Sequence, residues 1–224
     1  MNKKVIIVEG IADAIFLSQL INKYFGKPIF SKPKVNERTI YIKGTTPDYN
    51  INIHGIGGFT KLYDFKANIK EYEISGFDFH VIFDTDTSVR HKDSYGGRIG
   101  KTNFLNEHKV KLEIDFSTFL LPFDNEEEGN LEDLLIKIVN KDNFNAFLAC
   151  HNNYCSCLKS GRLKLLGMNE LESQKSQLFN YLQASRGMKS AKELERNYLD
   201  IELWDLESEA LTPFIQYLSE IFKT

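Results

Sequence analysis

The sequence predicts an α/β fold with a central, mostly parallel sheet of about four strands flanked by helices, plus a helical C-terminal extension. Short runs of β-branched and other apolar residues, typical of buried parallel strands, lie at 4–8, 77–83 and 117–122, and alternating polar and apolar residues predict a further parallel strand at 49–56. Segments with the apolar period of a helix separate these runs. Strands that alternate with helices in this way favour a parallel sheet.

The first β–α unit is indicated by an apolar strand that stops at an acid. Residues 4–8 lead directly into Glu9, and the apolar stripe that follows predicts a helix over 10–25. Residues 27–50 are loop-like, with one short strand expected at 38–43. We interpret that stretch as an insertion or an edge hairpin.

The later elements continue the alternation and then change to helices alone. The strand at 49–56 ends in a glycine-rich turn, and a helix at 59–73 precedes the strand at 77–83. The remaining elements are a helix at 102–108, a strand at 117–122, a helix beginning at Leu131, and helices at 143–159, 170–185, 191–196 and 207–222. Because strand patterns fade near residue 140, we expect an α/β domain over 1–139 and a helical extension over 140–224 that packs on it.

Composition and charge limit the classes of function. The 224 residues are 42% hydrophobic, which is enough for a substantial core, and the net charge of −3 gives no global attraction to a polyanion. No apolar run reaches the roughly 20 residues of a membrane helix, so we expect no membrane partner. The three cysteines cannot all pair, which favours a reduced, cytoplasmic protein.

Acidic residues follow two of the predicted strands at the point where each strand ends. Glu9 follows the first strand, and Asp84 and Asp86 follow the strand at 77–83. The carboxyl ends of parallel strands share one edge of a sheet, so these side chains should lie close together. Asp84 and Asp86 should point to the same side of an extended segment. Clustered carboxylates repel unless a cation lies among them, and oxygen ligands suit Mg²⁺ or Mn²⁺.

Three motifs together resemble a known domain. Val8-Glu9-Gly10 closes the first strand, Gly55-Ile56-Gly57-Gly58 follows a middle strand, and Asp84-Thr85-Asp86 closes a later one. This ordered set resembles the TOPRIM domain of topoisomerases, primases, recombination proteins and OLD-family nucleases. Asp13, four residues after Glu9, is most similar to the OLD-like branch. The segment from Leu121-Pro122 to Gly129-Asn130-Leu131-Glu132-Asp133-Leu134 looks like that of small stand-alone TOPRIM-related proteins.

The resemblance covers roughly residues 3–139 and implies a Rossmann-like TOPRIM fold with metal-dependent phosphodiester chemistry. Glu9 would ligate metal or act as a general acid or base, and one or two Mg²⁺ or Mn²⁺ ions would bind. The expected metal ligands are Glu9, Asp13, Asp84, Asp86, Glu132 and Asp133. Simpler roles stay open: a D-x-D is often a turn, and Asp13, Glu132 and Asp133 are first-turn acids that a helix dipole favours.

A basic segment follows the D-x-D motif. Arg90, Lys92, Arg98 and Lys101 are interpreted as a basic rim that attracts the phosphates repelled by the acids. The alternative is a solvated loop without a binding role.

These observations lead to a Mg²⁺-dependent nuclease as the expected function, with DNA or RNA as the substrate. The alternative is a non-catalytic metal- or nucleic-acid-binding regulatory module that acts with a separate ATPase partner. A third alternative is phosphotransfer on a nucleotide. A homodimer would extend the nucleic-acid contact surface. The sequence leaves DNA versus RNA, endo- versus exonuclease action and the partner open.

Overall fold

The computed structural model describes residues 1–26, 28–86, 95–122, 128–160 and 173–222. These residues form two compact units. The first contains Met1–Leu131 and the C-terminal segment that begins at Thr212, and the second is Glu132–Leu211. The predicted boundary at residue 139 therefore falls inside the second unit, and the final helix belongs to the first.

The first unit is built on a mixed sheet that has seven strands among the described residues. They are β1 (Asn2–Val8), β2 (Ile29–Phe30), β3 (Lys34–Asn36), β4 (Thr39–Thr45), β5 (Tyr49–Gly55), β6 (Asp78–Asp84) and β7 (Ser117–Leu121). The order is β2-β4-β5-β1-β6-β7, and β3 also pairs with β4. Strands β5, β1, β6 and β7 run parallel, as predicted. The insertion forms an antiparallel edge of three strands, of which the sequence indicated only β4.

Helices connect the parallel strands and make up most of the second unit. The helices in the described ranges are α1 (Ile11–Tyr24), α2 (Lys66–Ile74), α3 (Gly97–Leu112), α4 (Leu131–Ile138), α5 (Lys141–Ser160), α6 (Gln174–Arg186), α7 (Met188–Ala191) and α8 (Thr212–Ile221). Short 3-10 turns lie at Phe59–Lys61, Glu193–Glu195 and Glu209–Leu211. No helix within these ranges is long and apolar enough to cross a membrane.

The sheet buries apolar side chains on both faces, which is why β1 and β6 contain continuous apolar runs. Val5 and Ile7 of β1 belong to a buried cluster that includes Leu120 of β7 and residues of α2 and α3. Successive strand residues alternate between faces, so Phe119 lies on the other face. There Phe214 of α8 packs 5.1 Å from Phe119, measured between ring centroids. The final helix thus packs on the sheet of the first unit, as expected for the end of the helical extension.

The second unit is helical and has an aromatic core of its own. The Tyr181 ring of α6 lies 5.1 and 5.5 Å from the rings of Phe144 and Phe147 on α5. Trp204 is buried, and its indole N–H donates to the Asn197 carbonyl at 2.9 Å. The strand signals that fade in the sequence near residue 140 agree with this helical content.

Candidate functional site

The strand register brings Glu9 and Asp84 to one edge of the sheet. Val8 of β1 pairs with Ile82 of β6, so the residues that follow both strands lie at their carboxyl ends. The Asp84 backbone N–H donates to Glu9 Oε1 at 3.0 Å. The Asp84 carboxylate in turn accepts a hydrogen bond from the Leu131 N–H, also at 3.0 Å. Each of the two carboxylates therefore accepts a hydrogen bond from a backbone N–H, and the bond between Asp84 and Glu9 makes them neighbours.

A lysine lies among the acids. The side chain of Lys101 is fully buried, and its ammonium lies 2.9 Å from Asp86 Oδ2 and 3.5 Å from Glu9 Oε1. The same nitrogen lies 3.3 Å from the centroid of the Phe59 ring, a cation–π contact. A charge without access to water must be paired, and two carboxylates and a ring face supply that pairing. Glu9 and Asp86 thus converge on one positive charge.

The position of Lys101 corrects its assignment to an exposed basic rim. The sequence placed the start of the helix at residue 102, whereas α3 begins at Gly97. Lys101 therefore lies on the second turn of a helix, on the buried face it shares with Phe104 and Leu105. Helical spacing directs these three side chains inward together, so Lys101 faces the acids instead of solvent.

Burial is the main influence on Glu9. The pKa of Glu9 is raised to about 7, because the effect of burial and, to a smaller extent, of nearby Asp86 and Asp13 exceeds the lowering by Lys101. A carboxyl group with a pKa near 7 exchanges its proton readily at neutral pH. This property suits a general acid or base.

The glycine-rich turn after β5 fixes the backbone of Glu9. The N–H groups of Gly57 and Gly58 both donate to the Glu9 carbonyl, at 2.8 and 2.9 Å. Gly55 has no room for a side chain, because a Cβ there would lie 2.5 Å from the Gly10 carbonyl oxygen. The motif between the two acidic strands is thus a clamp on the Glu9 loop, and both the turn and the parallel strand before it were predicted.

The D-x-D segment does not stay extended through its second acid. Strand β6 ends at Asp84, and Asp86 has a φ of 57°, in the left-handed region. The expected extended conformation therefore ends before Asp86, and the expectation that both side chains point to the same side stays a prediction. The Asp86 N–H donates to the Gly129 carbonyl at 2.7 Å, which fixes this turn.

Thr85 is a structural member of this segment that sequence reasoning missed. It is completely buried, and its hydroxyl lies 2.9 Å from the Leu121 carbonyl and 3.0 Å from the Gly129 carbonyl. Thr85 therefore ties the acidic loop to the end of β7 and to the residues before α4. A small hydroxyl residue between two acids was the only signal in the sequence.

The other expected ligands take up local contacts. Asp13 accepts a hydrogen bond from the Gly10 N–H at 2.8 Å, as a first-turn acid in a capping box does. Glu132 and Asp133 belong to the second unit, where Glu132 pairs with Lys175 at 3.4 Å. Metal ligation by any of these three stays a prediction.

The basic segment is described only in part. Arg98 lies on the first turn of α3 and is half-buried. Arg90 and Lys92 lie outside the described residues. The proposed phosphate contacts of these three residues stay predictions.

The donor atoms of the acidic edge suit a hard cation, but their arrangement is not a closed metal site. Within the ranges that the structure describes, no three His, Cys, Asp or Glu side chains are grouped closely enough to hold a metal ion. Glu9, Asp84 and Asp86 offer only carboxylate oxygens, the donors that Mg²⁺ and Mn²⁺ prefer. Two of them already converge on the ammonium of Lys101. By donor type alone Glu9, Asp84 and Asp86 suit a divalent ion, and metal binding at this edge stays a prediction.

Comparison with known proteins places this chain in a family. The family model described as "Protein of unknown function (DUF3226)" matches residues 3–223. The chain belongs to this family. No curated protein matches the sequence.

One solved structure supports the fold. The chain is similar to the crystal structure of the hypothetical protein PH0156 from Pyrococcus horikoshii OT3, with 14% identity and a TM-score of 0.52. The likeness covers 99% of this chain and 95% of the other. At this level of identity, the comparison concerns the fold alone.

Proposed function

We propose that this protein hydrolyses phosphodiester bonds in nucleic acid with Mg²⁺ or Mn²⁺, as a TOPRIM-like nuclease of the OLD-like type. The observation that carries the proposal is the convergence of Glu9 and Asp86, from neighbouring strand ends, on one buried positive charge. An edge that collects acids around a cation is suited to bind a metal ion. The parallel arrangement of β5, β1, β6 and β7 agrees with the fold that the resemblance implies.

The charge balance favours one divalent ion over two. Glu9, Asp84 and Asp86 carry three negative charges when ionised, and Lys101 compensates one of them. One divalent cation balances the remainder. A second would leave the cluster positive unless further acids took part, and Asp13, Glu132 and Asp133 are the residues that the sequence offers.

The residues of the chain have distinct roles in this proposal. A bound divalent ion would polarise the phosphate and lower the pKa of a water molecule. Glu9 accepts the proton of the attacking water or donates one to the leaving oxygen. Lys101 holds Glu9 and Asp86 in position and limits the repulsion between them. The turn at 55–58 fixes the backbone from which Glu9 projects.

A cleavage assay tests the proposal. Single- and double-stranded DNA and RNA are incubated with the protein and Mg²⁺, Mn²⁺ or a chelator. Asp84→Asn keeps an oxygen that can accept from the Leu131 N–H but loses the charge, and it should lower the rate about 100-fold or more. The matched control is Asp78→Asn, at the opposite end of the same strand, where the side chain is 68% exposed. Absence of metal-dependent cleavage by the folded wild type, or equal rates in both variants, contradicts the proposal.

A second candidate is a non-catalytic regulatory module that acts with a separate ATPase partner. The buried ammonium of Lys101 favours it, because a permanent internal cation can stabilise the acidic edge without any metal. A homodimer or the ATPase partner would then supply the missing contacts to nucleic acid. Divalent-ion or nucleic-acid binding without cleavage, with or without such a partner, distinguishes this candidate from the nuclease.

A further inference from the structure

A cavity of about 710 Å³ lies in the first unit beside the turn that clamps Glu9. The β3–β4 hairpin and the end of β5 line it, together with Lys61, Asp64 and Phe65. Sites for small molecules or nucleotides commonly have about 300–1,000 Å³. Its size therefore suits one nucleotide but not a folded polypeptide segment.

Flat rings form one wall of the cavity. Tyr41 of β4 and His54 of β5 are cross-strand partners, with ring centroids 4.7 Å apart. Phe65 adds a third ring, 4.8 Å from that of His54. All three rings line the cavity. Rings of this kind provide a surface on which any nucleobase can stack, whatever the sequence of the nucleic acid.

The polar atoms of these rings are engaged within the protein. The Tyr41 hydroxyl donates to Asn52 Oδ1 at 2.6 Å, and His54 Nε2 lies 2.9 Å from the Tyr72 hydroxyl. Burial lowers the pKa of His54 to about 4, so its ring is neutral at physiological pH. What the wall presents to a ligand is therefore mainly ring surface, which suits a base more than a charged group.

Cations lie at the hairpin side of the same cavity. Lys34 and Arg38 are exposed, and neither takes part in an ion pair with another described residue. Lys61 is paired with Asp64 at 3.2 Å, and Glu37 is the other acid in the lining. Two unpaired cations against one unpaired acid give this wall a local positive charge, on a chain whose net charge is −3. Phosphate groups are the natural counterpart of such a wall.

The cavity and the acidic edge share a structural element. Gly57 lines the cavity, and its N–H donates to the Glu9 carbonyl at 2.8 Å. The cavity wall is thus one hydrogen bond away from the residue that we propose to act at the scissile phosphate. If a nucleic-acid strand binds at Glu9, the cavity at the adjacent end of β5 can therefore hold a neighbouring nucleotide of that strand.

We infer that this cavity holds one unpaired nucleotide of a single-stranded substrate, with the base against Tyr41 and Phe65 and a phosphate near Arg38. The inference rests on the proposed function, because it places this nucleotide next to the bond cleaved at Glu9. A base in a duplex is stacked and paired, so it cannot enter the cavity unless it is first extruded. The protein therefore selects single strands or strand ends over intact duplex.

Binding of short oligonucleotides in the presence of a chelator tests the inference apart from cleavage. A labelled oligothymidylate and a duplex of equal length are titrated with protein and followed by fluorescence anisotropy. Phe65→Leu keeps an apolar side chain but removes the ring, and it should weaken single-strand binding about 5-fold or more. Arg38→Ala, at an exposed position, should lower the slope of log affinity against log salt by about 0.7.

Matched variants outside the cavity serve as controls. Tyr63→Leu removes an exposed ring from the segment next to Phe65, and Lys70→Ala removes a charge from α2; both should bind as the wild type does. Equal single-strand affinities for Phe65→Leu and Tyr63→Leu, with an unchanged salt slope for Arg38→Ala, overturn the inference. So does duplex binding as tight as single-strand binding. If the wild type still cleaves nucleic acid in that case, the proposed function stands and only the cavity assignment fails.

Discussion

Replacing Lys101 with methionine should destabilise the protein strongly, because the charge that holds the acidic edge together is lost. Methionine has a similar length and can pack against Phe59, so the variant removes charge without leaving a large void. Glu9 and Asp86 would then face each other without the ammonium between them. The expected result is a lower free energy of unfolding when no divalent cation is present.

The size of the effect follows from burial and distance. At an effective dielectric constant near 20, the contacts of 2.9 and 3.5 Å correspond to gross attractions of about 6 and 5 kcal/mol, which the cost of burying the ammonium offsets in large part. Removing one partner of a buried ion pair costs about 3–5 kcal/mol. The side chains of Glu9 and Asp86 are 15% and 17% exposed, so water partly screens their interaction with Lys101. We therefore expect a loss of about 3 kcal/mol.

Urea unfolding followed by far-UV circular dichroism measures this loss. The control is Lys109→Met on the same helix, whose partner Asp115 has a side chain that is 93% exposed and whose loss should cost at most about 1 kcal/mol. Lys101 lowers the pKa of Glu9, so the variant should protonate Glu9 more readily and lose less stability at about pH 6 than at about pH 8. Mn²⁺ should restore the variant more than it stabilises the wild type. A Lys101→Met protein as stable as the Lys109→Met control would refute the reasoning.

Two further predictions concern the scaffold. Burial lowers the pKa of His80 to about 4, whereas the same imidazole in the unfolded chain has a pKa of 6.5. As the pH falls from 6.5 towards 4, the unfolded chain is protonated at His80 and the folded protein is not, so the folded state loses stability relative to the unfolded chain. Between pH 7 and pH 5 the free energy of unfolding of His80→Gln should therefore fall by about 2 kcal/mol less than that of the wild type. Urea titrations that give parallel pH profiles for the two proteins would contradict this. Gly55→Ala would place a Cβ 2.5 Å from both the Gly10 oxygen and Ile40 Cγ2. It should cost about 1–3 kcal/mol in the same measurement, and unchanged stability would show that the clamp on Glu9 is not close-packed.

The parts of the fold that the sequence predicted are those with strong local periodicity. Strands β1, β6 and β7 contain short apolar or β-branched runs, because both faces of the parallel sheet are covered, and β5 alternates polar and apolar residues. The order of these strands along the chain indicated the sheet edge where Glu9 and Asp84 lie. Strands β2 and β3 are two and three residues long and exposed or half-buried, so they carry no apolar pattern. Their existence depends on pairing with β4, which no local signal encodes.

The candidate site was predicted less completely, for a physical reason. Gly96, Gly97 and Gly100 are poor helix formers, so the segment before residue 102 resembled a loop. Tertiary packing makes it the start of α3 and turns Lys101 inward. Considered without that lysine, the clustered carboxylates repel each other, and neutralising one of them would relieve the repulsion. With Lys101 present, Asp86→Asn removes a partner of a buried cation and should instead destabilise the protein in the absence of metal.

The most direct test of the central claim is calorimetric titration of the protein with Mn²⁺. We expect the wild type to bind one ion per chain, with affinity reduced about 10-fold or more in Asp86→Asn. Asp78→Asn, on the exposed beginning of β6, should bind as the wild type does. No binding by the folded wild type, or equal affinities in the two variants, would contradict the assignment of the acidic edge as a divalent-metal site.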